Sequence, residues 1–173
     1  IDVTGKWTFT VTTDAGSGPP IVFLHSGWGY EMYPFDRQAA VFERCHRIVA
    51  PDRSGYGQST PIDALPPDFH ARAADETRAL IDALHLQRPI VWGHSDGAII
   101  ALLLALRAPA SIGGLIAEAA HFYKRKPRSR AFFESMRHEP RLLGETVIKV
   151  LARDHGDRWP DVIAGHSRAW QPI

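Results

Sequence analysis

Residues 90–106, Ile-Val-Trp-Gly-His-Ser-Asp-Gly-Ala-Ile-Ile-Ala-Leu-Leu-Leu-Ala-Leu, decide the reading of this chain. The short apolar run Ile90-Val91-Trp92 reads as a strand covered on both faces, and the run from Gly97 to Leu106 as a deeply buried helix. Gly93-His94-Ser95-Asp96-Gly97 between them fits G-x-S-x-G in the strand-to-helix setting that motif requires. Glycine is needed on both sides of Ser95 because side chains there would collide with neighbouring backbone. The turn lifts the Ser95 hydroxyl clear of the sheet, and the helix N-terminus beneath it favours developing negative charge. Ser95 is the candidate nucleophile.

The pattern repeats on either side. Ile21 to Leu24, Ile48 to Ala50 and Leu115 to Ala117 carry the same buried-strand signature. Apolar residues from Phe69 through Ala73, Leu80, Ile81 and Leu84 recur at helical spacing, with charged residues opposite. Trp7 to Thr13 reads as an antiparallel edge strand or hairpin arm, and Asp14 to Pro20 as a turn. Buried strands alternating with helices predict an α/β class with a predominantly parallel sheet and right-handed crossovers.

After His121 the texture changes. Tyr123 to Arg130 is basic and reads as a solvated hinge. Ser129 is a candidate N-cap for a helix carrying Phe132, Phe133 and Met136. Leu143 to Arg153 and Trp159 to Trp170 read as further amphipathic helices. The division is therefore a core over 1–121 and a helical cap over 122–173, with no later strand before the chain ends.

With 173 residues the chain has the size of one domain, and 45% hydrophobic against 23% charged residues argues against disorder. A net charge of +1 supplies no long-range field for nucleic acid. The longest apolar run falls well short of the ~20 residues a membrane helix needs. Cys45 cannot form an internal disulfide, fits a reducing, cytoplasmic setting, and reads as a small buried apolar residue at a helix end.

A serine attacking a carbonyl needs two backbone N–H donors aimed at the oxyanion. One is expected from Asp96, the other from Gly27 in the loop His25-Ser26-Gly27-Trp28-Gly29. Pro51 to Ser59 reads as scaffold in which Asp52 and Arg53 can pair. The Asp96 carboxylate either lies at a helix N-terminus, favoured by the dipole, or faces the acyl pocket and selects an ammonium-bearing substrate. Trp28, His94 and His121 are candidate substrate-binding residues. Cap aromatics Phe132, Phe133, Trp159 and Trp170 read equally as core or as an apolar acyl pocket.

Taken in order, VFLHSGWG, VAPDRSGYGQS, VWGHSDG and GLIAEAAHF followed by a helical cap resemble the α/β-hydrolase superfamily. The loop reads His-Ser-Gly where many members have His-Gly-Gly, and Ser26 is small enough to keep it. The resemblance implies a Ser, acid, His triad in that order and no cofactor or metal. It places the histidine after a last strand and the acid usually after the strand following the cap, which leads us to expect a chain cut before its last strands. Some members place the acid where Glu118 stands, so Glu118 is the candidate acid.

None of the in-chain histidines qualifies as the base from sequence. His94 should diverge from its neighbour Ser95, His25 reads as a loop-orienting residue, and His121 opens the cap. His166 shares a helical face with Val162, Ile163 and Trp170 and reads as a packed cap residue. The expectation is a serine hydrolase acting on an ester, amide or related acyl bond of a small molecule. The alternatives are a catalytically incompetent binding protein of the same fold, and a carbon–carbon bond hydrolase or perhydrolase. A haloalkane dehalogenase uses Asp at position 95. An unfinished sheet would also expose an edge through which copies of the chain could associate.

Overall fold

A computed structural model describes residues 2–3, 7–8, 10–121 and 127–170, with side chains over 10–121 and 130–170. Strands β1 (Asp2–Val3) and β2 (Trp7–Thr8) form a small antiparallel pair. The main sheet contains β3 (Val11–Ala15), β4 (Pro20–Leu24), β5 (Arg47–Pro51), β6 (Ile90–His94) and β7 (Gly114–Glu118). Its order is β3-β5-β4-β6-β7, and only β3 runs antiparallel to its neighbour. The expected arm over residues 7–13 is thus shared between two sheets.

Alternation along each strand sends residues to two separate layers. Val22, Leu24, Val49 and Val91 pack beneath α2 (Phe69–Ala83) and α3 (Asp96–Arg107). Ile21, Phe23, Ile48 and Ala50 pack with Phe35 and α1 (Asp36–Phe42) on the other face. Fully burying a Leu- or Phe-sized side chain contributes about 1.5–3 kcal/mol, so these two layers supply most of the driving force.

Two parts of the core are less enclosed than their sequences imply. Leu106 is 79% exposed, so α3 is buried only along the face that meets the sheet and α2. In β7, Ile116 is 40% exposed. Its register partner is Trp92, placing it on the α1 face, but α1 lies over β4 and β5 and stops short of β7. Ala117 on the opposite face is exposed as well, so β7 is an edge strand incompletely covered on both faces.

After β7 come three helices, α4 (Pro127–His138), α5 (Glu145–His155) and α6 (Trp159–Trp170), over the stretch where the sequence led us to expect a cap. Ser129 lies inside the first turn of α4 because the helix begins at Pro127, a residue suited to a helix start. Met136, Leu151, Trp159 and Ile163 form a separate apolar cluster among these helices, and Trp28 and Met32 from the loop after β4 pack against it. Residues 122–126 of the basic stretch lie outside the described residues. Cys45 is exposed rather than buried, because it follows α1 in the turn leading to β5. No described helix is long and apolar enough to cross a membrane.

Candidate active site

Ser95 occupies the junction of β6 and α3 with φ +55° and ψ −115°. This left-handed backbone is strained for a residue with a Cβ and persists only where its surroundings enforce it. Here they do. The Ser95 N–H donates to the Glu118 carbonyl at 2.9 Å, and its own carbonyl accepts from Ala98 at 3.0 Å. A Cβ on Gly93 would stand 2.1 Å from the Gly97 carbonyl oxygen, and one on Gly97 would stand 2.0 Å from that of Leu24. Both glycines of the motif are required by backbone contact.

The loop after β4 crosses beside this elbow. His25 is fully buried; its Nδ1–H donates to the Ser26 carbonyl at 2.7 Å, and its Nε2 accepts the Arg53 N–H at 3.1 Å. The Arg53 guanidinium also donates to the Ser26 carbonyl. In a planar trans peptide, C=O and the following N–H point in opposite directions, so fixing the Ser26 oxygen orients the Gly27 N–H. Burial, and then the Arg53 guanidinium, hold the His25 imidazole well below its ordinary pKa, which keeps it neutral.

Arg53 therefore does not pair with Asp52. The Asp52 carboxylate instead accepts the Gln58 N–H at 3.0 Å, and its carbonyl accepts the Ser59 hydroxyl at 2.7 Å. Burial pushes its pKa upward. The loop is held by these bonds and not by an Asp52–Arg53 pair.

Asp96 is 2% exposed, and its carboxylate lies 2.8 Å from His166 Nε2 and 3.3 Å from His70 Nε2. Burial raises its pKa, but attraction and hydrogen bonding from His166 and then His70 outweigh this and leave it well below the usual carboxylate range. Asp96 does lie in the first turn of α3, as one sequence reading had it, but neither reading anticipated the two histidines. It is neither solvated nor free to meet a substrate ammonium, because α6 and α2 already fill both sides. A Cβ on Gly27 would stand 2.2 Å from His166 Nε2 and 2.6 Å from the Asp96 carboxylate, so the loop lies flush on this pair.

Glu118 ends β7 opposite His94 in register. Its carboxylate accepts the Tyr33 hydroxyl at 2.7 Å and the Trp92 indole N–H at 3.3 Å. His94 stacks on the Tyr33 ring with centroids 3.7 Å apart, and partial burial lowers its pKa. Trp28 is half-buried and stacks on Phe132, whereas His121 is exposed beside Trp170. Among the described residues, no histidine hydrogen-bonds the Ser95 hydroxyl.

A family model described as alpha/beta hydrolase fold matches residues 19–167. The chain belongs to the α/β-hydrolase fold family. An epoxide hydrolase of Caballeronia sordidicola is 31% identical over 152 residues, which are 86% of this chain and 45% of that protein. A bifunctional esterase/perhydrolase of Acinetobacter calcoaceticus is 35% identical over 80 residues, covering 45% of this chain and 28% of its own. The enol-lactonase of Burkholderia xenovorans superposes with a TM-score of 0.75 at 19% identity, over 98% of this chain and 72% of that one. This α/β-hydrolase-fold chain spans less than half the length of the curated relatives named here.

Sequence reasoning missed His70, Asp154 and His155. Nothing in their spacing marks them, because each meets its partners across long chain separations. Only the helical face that His166 shares with Val162, Ile163 and Trp170 hinted that the last helix turns a histidine inward.

Proposed function

We propose that the protein is a serine hydrolase acting on an ester, amide or related acyl bond of a small molecule. Ser95 attacks the carbonyl carbon, the amides of Gly27 and Asp96 stabilise the oxyanion, and water hydrolyses the resulting acyl-enzyme. The observation carrying this reading is the enforced backbone of Ser95, φ +55° and ψ −115°, between two glycines that cannot take a Cβ. Strain of this kind is retained where a side chain must be presented.

Glu118 takes the acid's place in this reading. It ends the strand beside the elbow, and an ionised carboxylate has about four lone-pair sites. Tyr33 and Trp92 occupy two and orient the group, leaving room for an imidazole N–H. The base must be a histidine other than His25, His94, His121 and His166, whose rings are committed or placed elsewhere. A carbon–carbon bond hydrolase or perhydrolase would use the same serine.

The absence of a histidine on the Ser95 hydroxyl among the described residues favours a second reading: a ligand-binding member of the fold that turns nothing over. A fluorophosphonate probe separates the two on protein expressed from its complete coding sequence. The hydrolase reading expects covalent labelling at Ser95 that Ser95→Ala abolishes. An unlabelled Ser95, or label at Ser26 or Ser54, rejects it.

A further inference from the structure

We propose that His155, in the cap, is a positioning residue of the oxyanion loop. The proposal rests on the serine-hydrolase reading and concerns how the Gly27 amide is held.

His155 is 3% exposed and closes α5. Its Nε2 lies 2.9 Å from the Trp28 carbonyl, and its Nδ1 accepts the Gly57 N–H at 3.0 Å. A carbonyl cannot donate and a backbone N–H cannot accept, so one neutral tautomer satisfies both bonds: proton on Nε2, lone pair on Nδ1. That ring joins the loop after β4, the loop after β5 and the end of α5.

The neighbouring contacts act in the same direction. Asp154 accepts the Glu31 N–H at 3.1 Å. A Cβ on Gly29, whose φ is +101°, would stand 2.1 Å from the Asp154 carboxylate and 2.7 Å from the His155 ring. The loop backbone therefore lies directly against both cap side chains. From the core, His25 and Arg53 fix the Ser26 carbonyl. From the cap, His155 fixes the Trp28 carbonyl, so Gly27 is held on both sides.

A loop with glycine at positions 27 and 29 has little stiffness of its own. An oxyanion donor must stay within about 0.5 Å of its working position. Loss of the His155 bond releases Trp28 and Gly29 and lets the Gly27 N–H drift. Because the donor matters more to the transition state than to bound substrate, the loss falls on kcat rather than KM.

The test uses protein from the complete coding sequence with His155→Ala, His155→Gln and, as a control, Arg153→Ala. Arg153 makes only a surface pair with Glu31. The expected result is a fall of about 10- to 100-fold in the rate of Ser95 acylation for His155→Ala, with KM for an aryl ester within about two-fold of wild type. His155→Gln, whose amide carries both a donor and an acceptor, recovers part of the loss, and Arg153→Ala changes nothing. Amide exchange by NMR reads the clamp independently of turnover: Gly57 exchanges faster in His155→Ala. An unchanged acylation rate overturns the proposal, as does a loss that merely tracks the unfolded fraction and is not relieved by glutamine. Failure of the underlying reading looks different. Wild-type protein would then stay unlabelled at Ser95 while Gly57 still responded to His155→Ala, and the positioning role would fall with it.

Discussion

His166 Nε2 lies 2.8 Å from the Asp96 carboxylate, tying the last described helix to the residue that follows Ser95. Both side chains are almost completely buried. The last described helix and the elbow are therefore joined by a hydrogen bond to a buried carboxylate, shielded from water and little weakened by salt.

Removing one partner of such a pair leaves the other desolvated. His166→Ala should lower unfolding free energy by about 3–5 kcal/mol, read from urea denaturation. Asp96→Asn should cost less, since its amide oxygen still accepts the imidazole N–H and no charge is left buried. A wild-type midpoint in His166→Ala would mean that the contact contributes nothing.

The elbow glycines provide a second prediction. Gly97→Ala places a Cβ 2.0 Å from the Leu24 oxygen and 2.7 Å from that of His25, both buried backbone atoms at the end of the central strand β4. Nothing there can yield, so the loss should exceed about 3 kcal/mol. Gly144→Ala is the contrast. A Cβ there meets nothing within 4 Å, and only its backbone, φ +81° and ψ 158°, is unfavourable, a penalty of about 1–3 kcal/mol. Equal thermal stability of the two variants would contradict this account.

Stability should also fall on mild acidification because of His25. Burial and the Arg53 guanidinium depress its folded-state pKa well below 6.5. As pH drops through about 6.5 the unfolded chain takes up a proton that the folded chain refuses. The contribution is therefore complete above that pH and declines below it, by about 1.4 kcal/mol between pH 7.5 and 5.5. The pH slope of unfolding free energy should be correspondingly shallower in His25→Asn. Parallel slopes in the two proteins would show that His25 does not titrate differently on folding.

What sequence could show follows from the range of each interaction. The positions of the strands, the elbow at Ser95 and the helix Trp159–Trp170 rest on local periodicity and local turn chemistry, and they stand where the pattern placed them, although β7 is not buried as its apolar run suggested. The burial of Cys45 and Leu106 could not be read, because it depends on which face a neighbouring element covers. The same holds for Asp96, whose partners His166 and His70 come from other helices. Asp52 and Arg53 are adjacent and oppositely charged, yet the buried Ser26 carbonyl and His25 claim the guanidinium. Long-range competition for hydrogen-bonding groups leaves no mark in spacing.

The strand order has a consequence for synthesis. β4 occupies the centre of the sheet, but its second neighbour β6 lies about 70 residues later in the chain. At ~5–20 residues per second, a ribosome needs roughly 4–14 s to deliver that neighbour after β4 has been made. Throughout that interval the most apolar edge of the nascent protein has one partner at most. It is open to any other strand within reach, so the yield of native protein in a cell should depend on translation speed and on chaperones that occupy that edge while it waits.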